Sequence, residues 1–205
     1  DKLVTAATSG VAAMKCGQVA NGAVYLDQEI EALVRLPKSK NREFLVLHDE
    51  KIDALSDLID ELQGNPLLVA YEFQHDLARL KKKFGDDIPY IGKGVSTARL
   101  KQVERDWNAG KIEVLYGHPQ SMAHGLNLQE IGNHICWFGL THDYELYDQF
   151  IRRILRQGNK HKSVNNHRII AKDTVDENKI YSVTTKDKGQ SAFFTALTRL
   201  KKFQK

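Results

Sequence analysis

The sequence predicts an open α/β fold, a mainly parallel sheet flanked by helices, and two observations carry that prediction. Several short apolar runs lack the polar alternation of a half-exposed strand, among them LLVAY at 67–71, IEVLY at 112–116 and HICWFGL at 134–140. Strands of that kind are buried on both faces, which requires helices above and below a parallel sheet. The segments between these runs repeat their apolar residues at helical spacing, which supplies the covering helices.

Taken in order, Val4, Ala7, Val11 and Met14 recur at helical spacing and the run stops at the turn signal Asn21-Gly22. A short strand, AVYL at 23–26, follows, and the polar, proline-containing LPKSKNRE at 36–43 reads as a loop. Residues 1–43 are therefore assigned to a helical and hairpin-like N-terminal segment, and 44–205 to the principal domain. A helix from about Asp49 to Leu62 carries Ile52, Leu55, Leu58, Ile59 and Leu62 on one side. Beyond Gly64-Asn65-Pro66 the expected series is strand 67–71, helix 73–84, strand 88–91, helix 96–109, strand 112–116 and strand 134–140. An arginine-bearing helix within 147–159 and a last strand, RIIA at 168–171, close it. Thr174 and Glu177 have the spacing of a capping box, the start of a bracing helix. The terminal TRLKKFQK reads as the basic end of an amphipathic helix.

Composition narrows the classes of function. With 41% hydrophobic and 27% charged residues the 205-residue chain has an ordinary globular balance, and no apolar run is long enough to cross a bilayer. The expected setting is cytoplasmic, with Cys16 and Cys136 as free thiols. A net charge of +4 permits a polyanionic partner without requiring one. His118, His124, His134 and His142 fall near Cys136, but their spacing matches no ligand pattern, so no metal site is assigned. The start, DKLVTAATSG, has neither an initiating Met nor a basic, apolar leader, and reads as a cut from something longer.

In open α/β sheets ligands sit beyond the carboxyl ends of the strands, so the following loops are the places to read for chemistry. GHPQSMAHGLNLQ at 117–129 is rich in Gly, His, Ser and Asn. Within it, Gly125 allows close backbone approach to an anion and Asn127 brings a hydrogen-bonding side chain, although an ordinary turn explains the same residues. YDQFIRRILRQGN at 147–159 puts three arginines in five positions. On a helix, Gln149, Arg153 and Arg156 project from one face beside an apolar stripe of Tyr147, Phe150, Ile151 and Ile154. A solvated basic face near a helix C-terminus would read the same way.

Taken together, the segments resemble the C-terminal motor lobe of superfamily-two helicases, specifically the SWI/SNF-type DNA translocases and their phage relatives, whose lobe is RecA-like. LLVAYEFQHDL is similar to the fourth helicase motif, SMAHGLNLQ to the fifth and QFIRRILRQGN to the sixth. IGKGVSTARLKQVERDWNAG resembles the Gly-Ser-Thr, Arg and Phe-Asn segment, and KDTVDENKI the Thr-Val-Asp-Glu element that trails the last motif. The likeness covers about residues 45–182, with a weaker match in QVANGAVYLD. His124 stands where many relatives have Gly, and Asn159 replaces the final Gln.

The resemblance implies that Arg156 is an arginine finger and Arg153 its partner, reaching a triphosphate held by another lobe. It places Gln149 against the nucleotide or its water, and Gly125 at the same site. It also implies nucleic-acid contacts from Lys93, Ser96, Thr97 and Asn127; for Ser96 and Thr97, helix capping is an equal reading. Arg152 points elsewhere, as a surface or ion-pairing residue. The implied partner is DNA, duplex in form and bound through its backbone without a sequence code. ATP and Mg2+ are the implied cofactors.

The chain has no Gly-x-x-x-x-Gly-Lys-Ser/Thr phosphate loop, since GKGVST at 92–97 lacks the spacing, and no apolar strand ending in Asp-Glu. The expectation is that a preceding lobe of the same polypeptide holds ATP and magnesium, and that this piece alone does not hydrolyse ATP. A non-catalytic RecA-like binding or regulatory module is the alternative. A dinucleotide enzyme would need a Gly-x-Gly-x-x-Gly turn after the first strand, which is missing.

Overall fold

The computed structural model describes residues 8–26, 42–122 and 125–186. Helix α1 (Ser9–Ala20) starts where the Thr8 hydroxyl accepts from Val11 N at 3.3 Å. It ends at Asn21, and Gly22 turns the chain with φ +97°, where a Cβ would lie 2.2 Å from the His48 carbonyl oxygen. Only glycine fits there. Strand β1 (Ala23–Tyr25) pairs antiparallel with β2 (Phe44–Val46), a strand not expected from the sequence. The part of the expected first helix at Val4, the start of the loop expected at 36–43, His124 and the terminal TRLKKFQK lie outside the described residues.

Helix α2 (Glu50–Leu62) closes through a left-handed Gln63, and β3 (Leu67–Ala70) follows, wholly buried. Next come α3 (Gln74–Phe84), β4 (Tyr90–Ile91), α4 (Thr97–Asn108), β5 (Val114–Gly117) and the single turn α5 (Pro119–Met122). Strand β6 (His134–Trp137), α6 (Tyr144–Ile151) and β7 (Asn165–Arg168) complete the sheet region, and a further helix, α7, occupies 175–186.

The five strands from β3 onward form one parallel sheet in the order β4-β5-β3-β6-β7. Its side chains alternate between two apolar cores. Leu68, Ala70, Leu115, Ile135 and Trp137 face one core, with Trp107, Phe150 and Ile154. Leu67, Val69, Tyr71, Tyr116 and Cys136 face the other, with Leu55 and Leu80. This two-sided burial is why the strand sequences lack alternation.

Two elements depart from the sequence reading. RIIA does not form the last strand; β7 is the polar NNHR at Asn165–Arg168, paired in register with His134–Trp137. As the sheet's edge it is covered on fewer sides, and its pairing follows backbone register rather than hydrophobicity. The arginine segment is not one helix either. Helix α6, capped by Asp143, ends at Ile151, and Arg152 is its C-cap. Beyond it the hydrogen bonds tighten: Arg153 N donates to Phe150 O, Ile154 N to Ile151 O and Arg156 N to Ile154 O. Leu128 N takes the Arg153 carbonyl at 3.2 Å, which competes with helix continuation.

A buried polar junction ties the first and last elements to the sheet. Lys51 Nζ lies 2.5 Å from Asp176 Oδ2 and donates to Asn21 Oδ1 at 2.8 Å, with Lys51 3% and Asp176 0% exposed. Asp76 Oδ2 accepts from Asn21 Nδ2 and from the backbone amides of Glu72 and Phe73, which start α3. Arg79 donates to the carbonyls of Asn21 and His48 and pairs with Asp49. Buried charges are tolerated only when so compensated. The capping box at 174–177 is modified: Thr174 Oγ1 accepts from Asp176 N, while Glu177 reaches back to Asp173 N.

Candidate functional site

The sequence-predicted residues fall at two ends of the sheet. Arg153, Arg156 and Asn127 gather beyond the amino ends of β5 and β6, with Gly125 two residues before Asn127 on the same loop. Lys93, Ser96 and Thr97 lie at the carboxyl end of β4.

At the amino end, loop 125–129 is pinned from below by Trp107, whose indole Nε1 donates to Leu128 O at 2.9 Å. The ring also packs beneath Gly132, where a Cβ would meet Trp107 Cζ2 at 2.6 Å. Gly125 is left-handed, φ +66°. Asn127 is held from three directions. Its amide donates to Glu104 Oε1 at 2.8 Å, its carbonyl accepts from Asn108 Nδ2 at 2.8 Å, and its Oδ1 accepts from Arg156 Nη1 at 2.7 Å. Arg156 and Asn127 are both solvent-exposed.

Arg153 is half-buried beside this loop and directs Nη1 toward Leu126 O at 3.5 Å. Burial lowers its pKa, and the positive charge of Arg156 lowers it further. Asn159 closes the turn: its Nδ2 donates to Gly132 O and Ile154 O, both at 3.0 Å, and its Oδ1 accepts from His161 N. Arg152 forms an i,i+4 ion pair with Asp148 at 2.5 Å, pointing away from the cluster. Gln149 stays on α6 and donates to Glu145 Oε1 at 3.1 Å.

At the carboxyl end, Ser96 Oγ accepts from Arg99 N at 3.3 Å, so it caps α4, and Thr97 is the first helical residue. Lys93 is exposed next to Gly94, φ +84°. Along β4 runs a cleft of about 370 Å³ lined by Lys81, Asp86, Asp87, Tyr90, Ser96 and Arg99. A second, of about 310 Å³, sits over β3, β5 and β6, with Glu72, His118, Thr141, His142 and Asp143 on its walls. There Lys179 pairs with Glu72 at 2.6 Å, and His118 Nε2 donates to Glu72 O at 2.9 Å. Burial raises the Glu72 pKa against the opposing charge of Lys179, and burial lowers that of His118.

Glu104 was not singled out from the sequence; on an exposed-looking helix a glutamate carries no distinguishing signal. Asn108 lies in the IGKGVSTARLKQVERDWNAG segment, whose resemblance to the family's Phe-Asn element is its one signal in the sequence. Among the described residues no group of three or more His, Cys, Asp or Glu could hold a metal ion, and no helix could cross a membrane.

Protein p41 of Acyrthosiphon pisum secondary endosymbiont phage 1 is 38% identical over 181 residues, which is 86% of this chain and 35% of that protein. The chain thus spans about a third of that relative. The C-terminal part of the Fun30 ATPase domain superimposes with a TM-score of 0.55 at 19% identity, covering 65% of this chain and 44% of the other. The C-terminal domain of the DEAD-box protein Dbp5 gives 0.54 at 16% identity, over 67% and 78%. At those identities the likeness establishes the fold, the RecA-like sheet of helicase C-terminal lobes. The family described as "Helicase conserved C-terminal domain" matches residues 50–158, from α2 through the turn that carries Arg153 and Arg156. The chain belongs to the family of helicase conserved C-terminal domains.

Proposed function

We propose that this chain is the C-terminal motor lobe of an ATP-dependent DNA helicase or translocase of the SWI/SNF type, in the group that includes phage proteins. Residues 1–43 lead from a first RecA-like lobe of the same polypeptide into the lobe at 44–205, and that first lobe holds ATP and Mg2+. The absence of a phosphate-loop sequence here supports that division of labour. The protein works in the cytoplasm of a bacterium or a phage-infected host.

The observation that carries the proposal is the turn after α6, which sets a half-buried Arg153 beside the Asn127 loop and an exposed Arg156 hydrogen-bonded to Asn127 Oδ1. These residues fit a polyphosphate. ATP, when bound, supplies the phosphoryl group that passes to water. Arg156 stabilises the charge that spreads over its oxygens, Arg153 shares that role, and Gln149 and Gly125 lie toward the nucleotide. Lys93, Ser96 and Thr97, at the carboxyl end of β4, contact the backbone of duplex DNA, and such contacts carry no sequence code; Asn127 lies at the other end of the sheet, where its side-chain oxygen serves Arg156. This chain by itself is inactive, because it brings the guanidiniums without the phosphate cradle.

The test is ATP hydrolysis by the polypeptide that joins this chain to its first lobe, with and without duplex DNA. Turnover stimulated by DNA supports the motor. DNA binding without any turnover replaces it with a non-catalytic binding or regulatory module.

A further inference from the structure

Residues Glu104 and Asn108 occupy successive turns on one face of α4, and both reach the backbone of Asn127. An exposed loop asparagine would ordinarily sample several rotamers and backbone positions. Here its amide and carbonyl are each clamped at 2.8 Å to a helix that is itself anchored in the core by Trp107 and Val103. Its one accepting side-chain oxygen is spent on Arg156.

From this chain of contacts we infer that Glu104, Asn108 and Asn127 are positioning residues that hold the Arg156 guanidinium in a single orientation. The inference rests on the arginine reading above. An exposed arginine loses rotamer freedom when it is fixed. A guanidinium already bonded through Nη1 loses less on meeting an anion, and its remaining donors keep their fixed fork geometry. The Glu104 carboxylate accepts from the Asn127 amide, and its charge strengthens that bond. None of the three needs to touch the nucleotide to affect turnover.

The experiment has two arms. In the two-lobe polypeptide, Asn127→Ala and Glu104→Ala are expected to lower kcat by about 10²-fold, the cost of a small misplacement, with KM for ATP little changed. Glu104→Gln keeps the accepting oxygen and is expected to restore most of what Glu104→Ala loses. In this chain alone, side-chain NMR of Arg156 is expected to show slow guanidinium rotation that Asn127→Ala releases. Full turnover in Asn127→Ala, when Arg156→Ala abolishes it, overturns the inference and leaves the arginine reading intact. No effect of Arg156→Ala itself sinks the arginine reading instead. Free rotation of Arg156 in the unaltered chain overturns the positioning contact whatever the turnover shows.

Discussion

Arg156 Nη1 donates to Asn127 Oδ1 at 2.7 Å across 29 positions of sequence, joining the turn after α6 to the loop after α5. Nothing in the local sequence of either segment requires that contact. It exists because Trp107 fixes one loop from beneath and Asn159 closes the other turn onto Gly132.

Replacing Arg156 should leave the fold alone. It is exposed and bonded to one exposed residue, so Arg156→Ala should change unfolding free energy by no more than about 0.5 kcal/mol. Chemical denaturation of this chain checks that. Arg156→Lys should fail to rescue turnover, since an ammonium lacks the planar fork.

Ser96 separates two duties. Ser96→Ala removes the cap on Arg99 N and should cost about 1 kcal/mol of stability. Ser96→Asp keeps a capping oxygen but adds negative charge, so it should retain stability while weakening DNA binding. If Ser96→Asp binds duplex DNA as the unaltered chain does, Ser96 is only a cap. Lys93→Ala should weaken binding equally across sequences and reduce the salt dependence by about one released ion.

The buried junction should respond sharply to losing one partner. Asp176→Ala strands the Lys51 ammonium in a site where only 3% of it is exposed, and should destabilise by about 3–5 kcal/mol. Lys51→Met combined with Asp176→Leu should recover much of that loss. Urea unfolding of the three variants measures both effects.

Stability should rise with pH through the imidazole range. His118, His134 and His167 all have pKa values lowered chiefly by burial from the ordinary 6.5. Between the lowered values and 6.5 the unfolded chain holds more protons than the folded one, so acidification through that window favours unfolding. His134 and His167 stack with Nδ1 and Nε2 only 3.0 Å apart, so charging both is opposed. Glu72 acts in the opposite sense: its raised pKa lets the folded state hold an extra proton above the ordinary 4.5. Thermal unfolding against pH should flatten in the imidazole range for His134→Gln with His167→Gln.

Much of this was legible in the sequence. The continuous apolar runs gave β3, β5 and β6 because burial on both faces leaves no polar alternation, and the helical spacing gave α2, α3 and α4. Strand β7 was hidden because NNHR pairs by register against His134–Trp137, and a polar edge has no hydrophobic signature. The end of α6 was hidden too: Ile151, Ile154 and Leu155 continue the helical period, while Leu128 N takes the Arg153 carbonyl from another loop. Asn127 could be marked by motif, but its grip by Glu104 and Asn108 is tertiary, and local spacing does not encode it.

The most direct test of the account is single-turnover ATP hydrolysis on duplex DNA by the two-lobe polypeptide, comparing the unaltered protein with Arg156→Ala. A fall of roughly 10³ to 10⁵ in rate, with ATP and DNA still bound, is the predicted result. Unchanged hydrolysis in Arg156→Ala would contradict it, and the arginine pair would then be a structural or DNA-facing element.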